Sequence, residues 1–291
     1  MSPEDIRLQA AIDGLNNFFE RHLESRSRAL GENLANAAIL KSAMEYSLFS
    51  GGKRFRPQVA FLTAELLEMA PERVVAHAAA VELVHTYSLI HDDLPCMDDD
   101  TFRRGVYTNH ILYGEDKALL AGDALLTEAF DVLATHYSYA PEIGLELTRL
   151  LSEAAGFTGM IAGQIADLDL ARREHQGSVE KILAMHSRKT GALIRYAAEG
   201  TAVVARASKS EQEKIGQFGT QLGLAFQIAD DLLDYAPNCV EKNGLPYVLG
   251  VKKSRELLLK VTNDCKRILE QYGARAKGLL KIVENNCLRD H

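Results

Sequence analysis

Two short stretches of this chain concentrate aspartate: Asp92-Asp93-Leu94-Pro95-Cys96-Met97-Asp98 and Asp230-Asp231-Leu232-Leu233-Asp234, their first residues 138 positions apart. Each closes an apolar, helix-patterned run, where carboxylates are costly unless something cationic binds them. In the second stretch Gln227, Asp230, Asp231 and Asp234 fall at i, i+3, i+4 and i+7 and share one helical face. Phe218, Leu222, Ala225, Phe226, Ala229, Leu232 and Leu233 form the apolar face. Like charges so placed repel by a few tenths of a kcal/mol per pair in water and by more in a half-buried cleft. A bound Mg2+ reverses that sign, because it takes carboxylate oxygens together with substrate phosphates. In the first stretch His85, Leu89 and Asp92 run along one stripe, and Pro95 must end or bend the helix, which brings Asp98 back towards Asp92. Arg103-Arg104-Gly105 follows shortly after Asp98-Asp99-Asp100. Each cluster alone also reads as a solvated helix end or as surface ion pairs, which are worth little. Together they point to a metal-bridged site for a strongly anionic ligand, with carboxylates on Mg2+ and arginines on phosphate oxygens.

Other polar groups are less specific on local sequence. Lys53, Arg54 and Arg56 form a basic run after Gly51-Gly52 that reads equally as a solvated helix start and as a phosphate site. A lone His85 reads as an ordinary helix histidine, and only its place on the Asp92 stripe tilts it towards the site. Lys189-Thr190 before Gly191 reads as a helix kink, Gln164 as a cavity or a core polar group, and Asp123 and Asp167 as structural contacts.

The elements that must position these groups are helical. Apolar residues recur at three- and four-residue spacing almost throughout, strict alternation is nearly absent, and only seven prolines interrupt the chain. Helices are predicted over 4–24, 31–49, 55–69, 73–94, 115–137, 142–166, 178–205, 209–235, 247–271 and 273–286. Breaks are predicted at Ser50-Gly51-Gly52, Pro71, Gly105, Pro141, 171–177 and 236–246. The fold class is all-α, a single large helical bundle, and residues 1–291 are expected to form one domain. The 291 residues are 47% hydrophobic and 25% charged, enough for a sizeable core. A net charge of -7 argues against nucleic acid as a partner. Cys96, Cys239, Cys265 and Cys287 show no CxxC or zinc spacing and read as reduced thiols of a cytoplasmic protein. The polar, acidic start MSPEDIRLQA points to no signal peptide. No apolar run approaches the ~20 residues of a membrane span, so any membrane contact is expected to be peripheral.

Several segments carry a family resemblance. They are Gly51-Gly52-Lys53-Arg54-Phe55-Arg56-Pro57, His85-Thr86-Tyr87-Ser88-Leu89-Ile90-His91-Asp92-Asp93, Arg103-Arg104-Gly105, Leu120-Ala121-Gly122-Asp123-Ala124-Leu125, Gly163-Gln164, Lys189-Thr190-Gly191-Ala192-Leu193 and Phe226-Gln227-Ile228-Ala229-Asp230-Asp231. In order and spacing the chain resembles the trans-prenyl diphosphate synthases, and among them the bacterial farnesyl diphosphate synthases, from about Ala43 to the C-terminus. The resemblance implies an isoprenoid synthase bundle around a deep central cavity, homodimeric, dependent on Mg2+ (with Mn2+ as an alternative ion). It implies condensation of isopentenyl diphosphate with dimethylallyl or geranyl diphosphate to farnesyl diphosphate. On this likeness Asp92, Asp93, Asp98, Lys189 and Asp230 are the catalytic set. Asp92, Asp93 and Asp98 hold metal on one wall, and Asp230, Asp231 and Asp234 on a facing one. Arg103, Lys189, Thr190, Gln227 and Lys242 grip the allylic diphosphate, and Lys53, Arg56, His85 and Arg104 grip isopentenyl diphosphate. Tyr87, five residues before Asp92 and so roughly 7–8 Å deeper along the helix, resembles the family's aromatic floor that stops growth at the farnesyl length.

The likeness weakens after Asp234. Where the family has a longer loop with a glycine-lysine and a further aspartate, this chain reads Tyr235-Ala236-Pro237-Asn238-Cys239-Val240-Glu241-Lys242-Asn243-Gly244-Leu245-Pro246. Lys242 and Pro246 match the end of that loop, and the earlier lysine has no counterpart. The shortening favours a second reading, a non-catalytic regulatory subunit, against which both complete aspartate sets stand. Geranylgeranyl and geranyl diphosphate synthases are the alternatives within catalysis. A terpene cyclase is a third reading, but it has no use for Lys53, Arg56 and His85 at a second diphosphate. Tails in this family can close over the cavity, and the sequence does not say whether Arg289-Asp290-His291 does so.

Overall fold

The computed structural model describes residues 2–29, 35–171, 177–236 and 244–288; Lys242, Cys239 and the tail Arg289-Asp290-His291 lie outside them. The described chain is almost wholly helical, as the apolar spacing requires. It divides into two compact units, one of residues up to Phe61 and Pro71–Thr148, the other of Leu62–Ala70 and from Arg149 onwards.

The first unit contains α1 (Pro3–Ala29), α2 (Ala35–Phe49), the start of α3 (Phe55–Leu66), α4 (Val75–Asp92), α5 (Asn109–Tyr113), α6 (Glu115–His136) and the start of α7 (Pro141–Ala155). Its centre is α4, buried on nearly every side from Ala76 to Val84. A helix covered all round must be largely apolar, as this one is apart from His77 and Glu82, and Ala76, Ala78, Ala79 and Ala80 keep it thin enough for neighbours to close in. Its main partner is α6, which offers Ala118, Ala121, Gly122 and Leu125. On α1, Leu15 and Phe19 are sealed in the same core, and each such side chain contributes about 1.5–3 kcal/mol of burial. His22 and Arg26 of α1 bond Glu128 of α6 at 2.7 and 3.0 Å.

The second unit is built around α11 (Lys209–Leu233), with α8 (Met160–Ala171), α9 (Val179–His186), α10 (Ala192–Val204), α12 (Leu245–Leu249), α13 (Val251–Leu269) and α14 (Lys277–Cys287). Ser178 and Ser208 start α9 and α11 by accepting the N–H groups of Lys181 and Glu211 at 3.4 and 3.2 Å. Such caps are worth about 1 kcal/mol. Between α9 and α10 the chain widens into a π turn, Ser187–Gly191. It is tolerated because Gly191 meets Gly223 of α11, where a Cβ would come within 2.6 Å of Gly191 Cα.

Four expectations change. The helix predicted over 142–166 is two, α7 and α8, parted at residues 156–159; a Cβ at Gly159 would stand 2.0 Å from the Ala154 carbonyl oxygen, so only glycine fits that corner. The helix predicted over 247–271 is parted at Gly250, held at φ +81°, which an L side chain rarely adopts. The stretch 178–205 runs through the π turn rather than as one regular helix. The break predicted at Gly105 is a small hairpin, β1 (Phe102–Arg103) against β2 (Val106–Tyr107). Its two-residue loop is Arg104-Gly105, both at positive φ (+56° and +79°), the geometry of a type I′ turn. No helix among the described residues is long and apolar enough to cross a membrane.

Candidate active site

Both acidic clusters stand at helix C-termini. Asp92 is the last residue of α4 and Asp93 its cap; Asp230 and Asp231 fall in the last turn of α11, with Asp234 as cap. The helix macrodipole is negative there, so each carboxylate costs about 0.3–1 kcal/mol where a lysine or arginine would gain as much. Placement against the local field is what a cation-binding role requires.

At the end of α4 the Pro95 turn does what its sequence implies. The Asp98 N–H donates to the Asp92 carbonyl at 2.9 Å, which folds Asp98 back over the helix end. Asp98 is exposed, Asp92 half-buried and Asp93 buried. Burial pushes the Asp93 carboxyl up, and Arg103, 2.5 Å away, pulls it the other way. Arg103 also reaches Asp100 at 3.2 Å. The donor set is carboxylate only, which suits a hard ion such as Mg2+ that keeps part of its water and binds one or two carboxylates plus phosphate. The donor chemistry therefore fits the metal the aspartates imply. The three-ligand grouping present among the described residues is elsewhere, at His22, Glu128 and Asp131. There Arg26 already sits 3.0 Å from Glu128 and 3.7 Å from Asp131, so it is an ion-paired network.

The arginines and His85 gather beside this helix end. Arg104, on the hairpin turn, donates to the Gly51 carbonyl and covers Gly52, where a Cβ would lie 2.5 Å from its guanidinium carbon. The glycine pair before Lys53 is thus the seat of Arg104. Lys53 is exposed and Arg56 half-buried. His85, half-buried, is held well below the usual imidazole pKa by burial first, then by Arg56, Arg104, Arg103 and Arg54. Of these four guanidiniums Arg54 and Arg103 already pair with Glu82 and Asp93, so an anion beside the imidazole would draw on Arg56 and Arg104. Two residues along, the Tyr87 ring is buried and lies edge-on to His91 at 5.6 Å. Its hydroxyl has no hydrogen-bond partner among the described residues, and burial, then Asp92, pushes its pKa up to about 12.

Sequence reasoning counted Arg54 with the basic run and missed its part in the frame. Its side chain turns inward to Glu82 at 2.9 Å and to the Leu48 carbonyl, with the backbone at φ +48°. It anchors the loop from which Lys53 and Arg56 extend. The signal was a non-glycine residue forced into the left-handed region after two glycines, which no local pattern reveals. Removing one partner of a buried pair leaves the other charge stranded, at about 3–5 kcal/mol. Arg54→Ala is therefore expected to lower stability by that amount in denaturant titration, and a loss below about 1 kcal/mol would mean that Glu82 finds water.

In the second unit the π turn carries Lys189 and Thr190. Thr190 Oγ1 donates to Gln227 Oε1 at 2.5 Å, and Gln227 Nε2 to Asp230 Oδ2 at 3.4 Å, so these three residues form one chain. Lys189 Nζ lies 2.5 Å from Asp167, which gives that aspartate a definite task. Gly163 lets α8 reach the turn, since a Cβ there would stand 2.2 Å from the Lys189 nitrogen. Beside it the Gln164 Nε2 is buried without a hydrogen-bond partner among the described residues. Asp231 differs from its neighbours: His186 Nε2 lies 2.8 Å from its Oδ2, and the Leu245 N–H donates to the same oxygen at 2.8 Å. π turns are frequent at functional positions, and this one places the residues the sequence marked.

A family model described as polyprenyl synthetase matches residues 37–244. The farnesyl diphosphate synthase of Geobacillus stearothermophilus is 40% identical over 97% of this chain and 99% of its own length. The chloroplastic geranylgeranyl pyrophosphate synthase of Capsicum annuum is 34% identical over 99% of this chain and 83% of its own. The apo crystal structure of an FPP/GFPP synthase from Zymomonas mobilis superposes with a TM-score of 0.82 at 33% identity, covering 95% of this chain and 99% of that one. The chain belongs to the polyprenyl synthetase family, as a short-chain trans-prenyltransferase similar to the farnesyl diphosphate synthases.

Proposed function

We propose that the chain condenses isopentenyl diphosphate with dimethylallyl and then geranyl diphosphate, releasing farnesyl diphosphate. The observation that carries this reading is the gathering of His85, Arg56 and Arg104, the last seated on the glycine pair before Lys53, beside the carboxylates that close α4. Such a site offers a second diphosphate a place beside the metal-bound one, and a cyclase with a single diphosphate has no need of it. Tyr87 supports the farnesyl length. The relatives include geranylgeranyl as well as farnesyl synthases, so chain length is the part that most needs measurement.

In this reading Asp92, Asp93, Asp98, Asp230 and Asp234 supply carboxylate oxygens for Mg2+, and Asp231 has a different part, argued below. When bound, the metal neutralises the departing diphosphate and so lowers the barrier to breaking the allylic C–O bond. Arg103, Lys189, Thr190, Gln227 and Lys242 hold the same diphosphate and share its developing charge. Lys53, Arg56, Arg104 and His85 hold isopentenyl diphosphate. His85 remains neutral, so it contributes a hydrogen bond and no further charge. The allylic cation forms a C–C bond with the isopentenyl double bond, and the proton then lost passes to the departed diphosphate, which spares the protein a base. Apolar lining must keep water from quenching the cation.

Residues 1–291 then act as one catalytic domain, and the family model itself runs across both compact units. The working form is proposed to be a cytoplasmic homodimer, as the family likeness implies. The test is direct: incubate the purified protein with labelled isopentenyl diphosphate, each allylic starter and Mg2+, and size the products. Farnesyl diphosphate is the expected product. Absence of condensation with every starter would replace this reading by the regulatory subunit that the shortened loop after Asp234 favours.

A further inference from the structure

We infer that Asp231 is a positioning residue and not a metal ligand: its carboxylate ties His186 to the first backbone N–H of α12, and so fixes the π turn that presents Lys189 and Thr190. The inference rests on the reading that those two residues hold the allylic diphosphate.

Three observations carry it. First, Asp231 Oδ2 receives two donors, His186 Nε2–H and the Leu245 N–H, each at 2.8 Å. Two donors fill both lone pairs of that oxygen, so the carboxylate already spends one of its two oxygens on the frame and keeps only Oδ1 for any other contact. Second, the His186 side chain is 5% exposed, and its Nδ1 has no hydrogen-bond partner among the described residues. The contact to Asp231 is therefore the polar tether of a buried ring, with Nε2–H as its donor. Third, the backbone wraps the carboxylate. Gly244, at φ +102°, passes so close that a Cβ would stand 3.0 Å from the Asp231 carboxyl carbon. A glycine in that conformation and that space is what lets the next N–H reach Oδ2.

His186 immediately precedes the turn Ser187–Gly191, and at the turn's other end Gly191 touches Gly223 of α11. The turn is thus pinned at both ends to one helix, by a hydrogen bond and by a glycine contact. Between the pins Thr190 reaches Gln227, and Gln227 reaches Asp230. Asp230 and the exposed Asp234 lie four residues apart on one stripe of α11, while Asp231 is turned roughly 100° from Asp230, towards α9 and α12. One acidic motif so divides its work: Asp230 and Asp234 face the ion, and Asp231 holds the frame.

The test is a double-mutant cycle with two readouts, thermal melting and calorimetric binding of Mg2+ with inorganic pyrophosphate as probe. Asp231→Ala and His186→Ala are each expected to lower the melting midpoint by roughly 3–8 °C, and the double variant no further than the worse single one. Both should weaken pyrophosphate binding alike, through Lys189 and Thr190, while the Mg2+ concentration at half-saturation stays within about twofold. Asp230→Ala should do the reverse, raising that concentration about tenfold or more and leaving the midpoint in place. Asp231→Asn, which keeps the shape and an acceptor oxygen, should recover most of the midpoint and guards against simple loss of fold. Additive melting shifts, or a tenfold rise in half-saturating Mg2+ for Asp231→Ala and Asp231→Asn but not for His186→Ala, would overturn the inference. The melting cycle needs no ligand, so it judges the Asp231–His186 tether even if the wild-type protein condenses nothing and the functional reading fails.

Discussion

Replacing Asp92 or Asp230 by alanine is expected to cut turnover by roughly 10²–10³-fold or more, on the scale set by loss of one group that stabilises developing transition-state charge, and to leave the helical circular dichroism intact. Both carboxylates sit in the last turn of a helix, where the local field opposes them. Removing either one should therefore not weaken the fold, and for Asp230 it also relieves repulsion from Asp231 and Asp234. Activity is thus expected to fall while the melting midpoint stays in place, which a structural aspartate would not allow. Steady-state kinetics across a Mg2+ series, with melting curves on the same preparations, checks both. Turnover within tenfold of wild type in either variant would remove that residue from the metal-binding set. Arg103 sharpens the case at the first cluster. It bonds Asp93 at 2.5 Å and leaves Asp98, folded back by its 2.9 Å hydrogen bond to the Asp92 carbonyl, exposed beside Asp92.

The second large effect concerns product length. Tyr87→Ala is expected to shift the main product from the farnesyl to the geranylgeranyl length or beyond, read by chromatography of the dephosphorylated products. The ring is buried five residues before Asp92, edge-on to His91, and in the proposed reading its removal opens space for a longer tail. Stability separates this from an ordinary core role. An aromatic sealed in a core costs about 3–5 kcal/mol on truncation to alanine, whereas a ring that lines a substrate channel costs less and changes the product. Tyr87→Phe is the control: the hydroxyl has no hydrogen-bond partner among the described residues, so neither product nor stability should fall. An unchanged product distribution in Tyr87→Ala, with a full core-sized loss of stability, would return Tyr87 to the core.

How much of this was legible in the sequence varies residue by residue. The C-terminal position of both aspartate clusters followed from apolar spacing, and the return of Asp98 followed from Pro95, because both are decided within a turn or two of helix. The resemblance marked Thr190, Gln227 and Asp230 separately, and the hydrogen bonds through Gln227 join them into one chain. Arg104 was marked only as a phosphate ligand, and its seat on Gly52 was not foreseen, although an Arg-Gly pair between two short extended runs is a hairpin signal. Arg54 and His186 were out of reach. Their partners, Glu82 and Asp231, stand 28 and 45 positions away, and no local period links them.

By itself the sequence determined the all-helical class and the residue types gathered at the ends of α4 and α11, since helical periodicity and proline geometry act between near neighbours. Tertiary structure alone decided which charged groups face solvent and which are spent on holding the frame. It turned Arg54 inward to Glu82, seated Arg104 on Gly52 and bound Asp231 to His186, because a buried charge keeps only the partner that packing brings to it.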